Sequence, residues 1–193
     1  MEKREGTGAR IDESVLTGVE IVPLGEIPRG RLERIAAGVV EVTGAEVIVT
    51  GGQPIPEAAY QSSRGQYNSS MILNAIRPVA WKKGWKRLAV LDVDIFSAGL
   101  NFVFGQADLS GATSAISLVR LENEFYGLAA DERLLLERAV KEAVHEIGHT
   151  LGVVHCKSRE CVMYFSNSLV DTDNKGSAFC GACMGRLAPK ERR

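Results

Sequence analysis

The chain has 193 residues, 45% apolar and 24% charged, with 23 basic and 24 acidic side chains and a net charge of −1. That length suits one domain with a real core, and the even charge balance suggests neither a nucleic-acid nor a membrane partner. No segment approaches the ~18 consecutive apolar residues of a membrane span, and Met1 to Ser14 lacks the apolar stretch of a secretion signal, so the expectation is a cytoplasmic monomer.

Residues 1–17 read as a loosely docked lead. Val19 to Leu24 predicts a first strand, with Pro23 placing its end. Pro28 opens a helix to about Val42, where Leu32, Ile35, Ala36 and Val39 recur at helical spacing and Gly44 is the stop. Ala45 to Thr50 is a short strand, which completes a β-α-β unit with parallel strands. Residues 51–66 are rich in Gly, Pro, Ser and Gln and are expected as loop. A helix from about Tyr67 to Trp81 follows, kinked at Pro78.

Lys82, Lys83, Lys86 and Arg87 read as a solvated rim rather than a phosphate site. Arg87 to Phe96 predicts a strand. Asn101 to Ala107 predicts a shorter one, antiparallel to it because the link is tight. Ala112 to Leu121 is a third. Asp131 is a good N-cap for a helix reaching about Leu151, in which Leu136, Val140, Ala143, Ile147 and Leu151 form one apolar stripe. His145 and His149 point away from that stripe, so one face packs on a sheet and the other faces a cleft. Apolar periodicity is lost after His155. Residues 156–179 are expected to be loop-rich and short of core, before a last helix near Cys183 and a basic tail, Arg186 to Arg193.

All three histidines lie in His145-Glu146-Ile147-Gly148-His149-Thr150-Leu151-Gly152-Val153-Val154-His155, which reads HExxHxxGxxH. Residues four apart on a helix stand nearly one above the other, so His145 and His149 aim a ring nitrogen at one point, about 2.0–2.1 Å from a zinc ion. Gly152 lets the helix end and the chain turn back to bring in His155. Three protein ligands leave a fourth position open, the mark of a catalytic zinc. Glu146 stays off the metal and within reach of water in that position, as a general base. With five residues named, the pattern arises by chance in roughly one chain in ten thousand of this length, or fewer.

Cys156, Cys161, Cys180 and Cys183 are the only cysteines, and all follow the motif. Their pairs, Cys156-x4-Cys161 and Cys180-x2-Cys183, suit a closed four-thiolate structural zinc site in a segment with little apolar material of its own. Two disulfides or free thiols are the other readings.

With HExxHxxGxxH followed by these cysteines and Met163, the C-terminal quarter resembles the archaemetzincin family of the metzincin zinc peptidases. Arg64-Gly65-Gln66-Tyr67 and Phe102-Val103-Phe104-Gly105 are similar as well. The resemblance implies an α/β (α+β) fold with a twisted mixed sheet, one antiparallel edge strand above the cleft and the active-site helix below. It implies that a peptide lies along the edge strand, best matched by Phe102, Val103, Phe104, Gly105 and Gln106, and that Met163 is the Met-turn methionine beneath the zinc. Some metzincins carry a tyrosine two residues after that methionine. Phe165 stands there in this chain, and Tyr164 is out of register.

The expected organisation is one catalytic domain, 1–193, made of a sheet-and-helix part (1–152) and a zinc-clamped part (153–193). The expected function is a zinc metallopeptidase, endo- or aminopeptidase, with two Zn2+ per chain acting on a peptide or protein. The alternatives are a zinc hydrolase of a non-protein amide, or a proteolytically inactive zinc-binding module with a peptide groove.

Overall fold

The structure, a computed structural model, describes residues 10–77 and 82–189. In chain order the elements are β1 (Gly18–Leu24), α1 (Arg29–Thr43), β2 (Glu46–Val49), β3 (Tyr60–Gln61), β4 (Gln66–Asn68), α2 (Ser69–Ala75), β5 (Trp85–Leu91), β6 (Ile95–Phe96), β7 (Gly105–Ala107), β8 (Thr113–Ser117), α3 (Glu132–Thr150), α4 (Leu169–Asn174) and α5 (Gly181–Arg186).

The main sheet runs β2-β1-β5-β8-β7. All neighbours are parallel except β7, which is antiparallel to β8. The expected antiparallel edge strand is therefore present, but shorter than expected and paired with the strand that follows it. Arg87 to Phe96 is also not one strand. The main-sheet ladder ends at Leu91, and Ile95–Phe96 pairs with β4 in a small second sheet, β3-β4-β6.

Side chains alternate across the main sheet and bury both faces. Val19, Ile21, Leu88, Val90, Ile116 and Leu118 face α1 and α3. Val22, Leu24, Ala89, Leu91 and Ala115 face α2. The β-α-β unit is as expected, with Gly44 at φ 76° ending α1. The stripe on α3 serves two neighbours: a side chain at Gly38 of α1 would strike Val140, while Ala143 and Ile147 are fully buried in the core.

Four further expectations need correction. The lead is anchored where it is described: Ile11 and Leu16 are buried, and Ile11 N–H donates to Thr43 O. The segment read as loop carries the β3-β4 hairpin. The helix expected to reach residue 81 is described only as Ser69–Ala75, with Asn68 as its cap, and the Pro78 kink lies outside the described residues. Lys86 and Arg87 are not a solvated rim. Lys86 donates to Gly111 O and Thr150 O, placing a cation at the C-terminal end of α3, where the helix dipole favours one, and Arg87 pairs with Glu20 at 2.7 Å.

The stretch after His155 holds more structure than its pattern suggested. A capping box, Ser168 with Asp171, starts α4. Cys161, Val162, Met163 and Phe179 are buried in the same core cluster as the sheet. No helix among the described residues is long and apolar enough to cross a membrane.

Candidate active site

Helix α3 brings the first two histidines to the cleft and ends directly after them. Asp131 caps its start by accepting from Leu134 N–H. At its other end Gly152 takes φ 87°, open to glycine without strain, and the chain reverses. His155 then returns to the site. The Nε2 atoms of His145 and His149 are 3.1 Å apart, and those of His149 and His155 are 3.2 Å apart.

The ring orientations have an identifiable cause. His145 Nδ1 is 2.8 Å from Val162 O, and His149 Nδ1 is 2.8 Å from Val153 O. A carbonyl only accepts, so each Nδ1 carries the proton and each Nε2 presents a lone pair. Two bare acceptors at 3.1 Å repel unless a cation lies between them. Burial, the largest cause for each ring, holds all three histidines below the usual imidazole range, His145 furthest, so they stay neutral and available as ligands. Neutral, convergent and proton-free on the facing side, this donor set fits zinc.

Glu146 is 5% exposed, and burial raises its carboxyl well above the usual range, with Glu142 adding to the effect. It lies against the edge strand. A Cβ at Gly105 would come within 2.7 Å of Glu146 Cγ and 2.8 Å of Ala115 O, so only glycine admits the carboxylate here. Gly148 allows the matching approach from below, because a Cβ there would sit 2.5 Å from Met163 Sδ. Met163 is fully buried under the helix. Phe165 packs against His155 at a tilt, with ring centroids 4.7 Å apart.

The cleft has a volume of about 600 Å³ and is walled by Phe102, Val103, Phe104, Gly105 and Gln106 above and by the histidines and Glu146 below. Of those five upper residues only Gly105 and Gln106 are in β7. Phe102 to Phe104 lead into it, tied down where Val103 N–H donates to Ile95 O and Phe104 O accepts from Ser117 N–H. Gln106 is pinned by Ser69 and Ser70. The upper rim hangs on Arg64 and Gln66, which donate to Leu100 O and Asn101 O, and on Asp94, gripped at two oxygens by Arg120.

The four cysteine sulfurs form a second group within 4.8 Å of one another. None is in a disulfide, and the Cys156 and Cys180 sulfurs are 3.8 Å apart. Their acidities are split. The backbone N–H of Cys183 draws Cys180 down to about 7, while burial pushes Cys161 and Cys183 up. Four thiols this close cannot all ionise without a cation among them, and a thiophilic divalent metal fits that set.

The polar face of α3 was missed from sequence. Arg138 grips Asp173 at 2.5 and 2.8 Å, and Lys141 donates to Thr172 O and Asp173 O. Glu142 pairs with fully buried Lys175 at 2.7 Å. Arg138, Glu142, His145 and His149 fall at steps of four, three and four, a polar stripe that the spacing could have revealed beside the apolar one.

Comparison with known proteins agrees with this geometry. The profile of peptidase family M54 matches residues 55–189. An archaemetzincin of Methanocaldococcus jannaschii is 49% identical over 69% of this chain and 72% of its own length. The crystal structure of Archaeoglobus fulgidus archaemetzincin, complexed with malonate, superposes with a TM-score of 0.77 at 40% identity, covering 88% of this chain and 99% of that one. That of a zinc-dependent peptidase from Methanocorpusculum labreanum gives 0.80 at 28% identity, covering 88% and 100%. The chain therefore belongs to peptidase family M54, the archaemetzincins, a family of zinc metallopeptidases.

Proposed function

We propose that this chain hydrolyses peptide bonds in the cleft between β7 and α3, with His145, His149 and His155 holding a catalytic zinc and Glu146 as general base. The observation that carries the reading is the confinement of Glu146 between the Gly105 backbone and the histidine triad. A zinc ion there supplies a Lewis acid for the scissile carbonyl and acidifies the attacking water. The substrate backbone lies extended along residues 102–106, where the last strand of the sheet has one unpaired edge. Glu146 accepts a proton from the attacking water on a carboxylate oxygen and returns it to the leaving amine nitrogen. Met163 supports the site from below as the Met-turn residue, and Phe165 braces the His155 ring.

Cys156, Cys161, Cys180 and Cys183 hold a second, structural zinc. One domain then comprises a sheet-and-helix part (1–152) and a clamped part (153–193), working as a cytoplasmic monomer. The test is a peptide library digested by wild type and Glu146→Gln, with zinc per chain counted by native mass spectrometry. Two zincs in both proteins and a turnover loss of about 10²–10⁴-fold in the variant are expected. A wild type that carries two zincs and cleaves no peptide sinks the reading.

A further inference from the structure

Helix α3 puts a second carboxylate on the cleft. Glu142 stands one turn before Glu146 and lines the same cavity, yet it is only 3% exposed. Its Oε1 accepts from Thr172 Oγ1 at 3.2 Å and lies 2.7 Å from Lys175 Nζ, close enough for an ion pair though off the axis of a hydrogen bond. Its Oε2 takes no hydrogen bond among the described residues. A carboxylate offers about four acceptor positions, so half of this buried group is unused. Ser166, three residues after Met163, also lines the cavity, and its Oγ is buried without a partner.

A buried hydroxyl without a partner, Ser166 Oγ, beside a carboxylate with an unused oxygen in the same cavity points to a further partner that meets both. The sign of that partner follows from the walls. Glu142 and Glu146 line the cleft, and among the described residues no lysine or arginine does. Lys175 is fully buried behind Glu142 and is not part of the cavity wall. It engages Oε1 and leaves Oε2 without a hydrogen bond among the described residues.

We propose that Glu142 and Ser166 form a polar specificity subsite that receives a positively charged nitrogen of the substrate, either a lysine or arginine side chain or a free α-ammonium group. This rests on the peptide-binding reading of the same cleft. Glu142 Oε2 accepts from the cation, Ser166 Oγ accepts a further N–H, and Lys175 is a positioning residue that acts through Glu142.

The test is peptide binding to zinc-loaded Glu146→Gln protein, followed by fluorescence anisotropy, so that it does not depend on turnover. Peptides differ at one position, lysine against norleucine, scanned along the sequence, each with a free or an acetylated N-terminus. One charged-group hydrogen bond predicts that the lysine peptide binds about 10- to 100-fold tighter at one position if the side chain is the source, or that the free terminus does so over the acetylated one. Adding Glu142→Gln reduces that ratio to within about twofold. Where the single change disturbs folding by stranding Lys175, the pair Glu142→Gln with Lys175→Met removes both charges together and makes the same prediction. Ser166→Ala lowers the ratio several-fold.

A ratio below about threefold for every pair on the parent protein overturns the proposal, as does a ratio that persists in either folded Glu142 variant. Selective binding by a wild type that cleaves no peptide supports the subsite while rejecting the peptidase reading, so the two failures are separable.

Discussion

The histidine and cysteine clusters are adjacent in the chain, His155 beside Cys156, yet they are held in different ways. The histidines stand on and just after a 19-residue helix, and backbone carbonyls of Val162 and Val153 set two of the rings. Most of that scaffold is apolar packing that exists with or without an ion. The cysteines come from turns and from the start of a six-residue helix, and their sulfurs differ in acidity because a backbone N–H favours the Cys180 thiolate while burial disfavours that of Cys183. On the proposed reading the difference separates the two metals: at the histidines an ion would add chemistry to a formed site, and at the cysteines it would add structure.

The sharpest break of that contrast is a pair of variants. His149→Ala is expected to lose one zinc and all turnover while melting within a few degrees of wild type. Cys180→Ser is expected to lose the other zinc and several kcal/mol of stability, which at this size lowers Tm by roughly 10 °C or more. Equal melting temperatures for wild type and Cys180→Ser would remove the structural role from the cysteine cluster.

The polar seam between α3 and α4 is the next lever. Arg138 has a side chain 4% exposed, paired with an Asp173 side chain that is 32% exposed. Asp173→Ala leaves a buried guanidinium without its carboxylate, although Leu121 O and Asn123 Oδ1 still accept from it, and is expected to cost about 2–4 kcal/mol in denaturant unfolding, less than a fully buried pair would. If the cost is under ~1 kcal/mol, the cysteine segment is anchored by its metal alone and the seam is incidental.

Gly105→Ala probes the active-site side. The new Cβ would meet Glu146 and the Ala115 carbonyl, and the strand cannot yield without breaking its pairing with β8. Turnover is expected to fall about 10- to 100-fold through misplacement of the carboxylate, with both zincs retained. Loss of zinc in this variant would mean that the strand shapes the metal site rather than the base.

The histidine motif was legible because helical spacing alone brings 145, 149 and 146 to one place, and the β-α-β start was legible because both periodicities are clean there. Other parts failed for physical reasons. Asp92 to Asp94 reads as continued alternation and carries the expected strand past Leu91, where the chain leaves the main sheet. Short pairings such as β3-β4 have too few residues to show a period. The partners of His145 and His149 are main-chain carbonyls, which no residue type announces. Lys175 meets Glu142 only through tertiary folding, so neither side chain marked the other. The capping box at Ser168 and Asp171 is legible in the sequence as a serine followed three residues later by an acid.

The smallest expected effect separates the clusters by pH. Burial holds the three histidines below their usual range in the folded chain, whereas in the unfolded chain they titrate near ~6.5. As pH falls below ~6.5 the unfolded state takes up protons that the folded site resists, so stability declines from there toward the folded values. Each histidine contributes at most about 1.4 kcal/mol per pH unit inside that window, and nothing above it, where both states are neutral. The protein to measure keeps its cysteine-site zinc and has the histidine site stripped, with urea unfolding followed from pH 7.5 down to 5. His145→Asn should flatten that decline more than His155→Asn, because His145 is 4% exposed while His155 lies open at the mouth of the cleft. A decline unchanged by either substitution would place its origin in the carboxylates and leave the histidine site without a cost of its own.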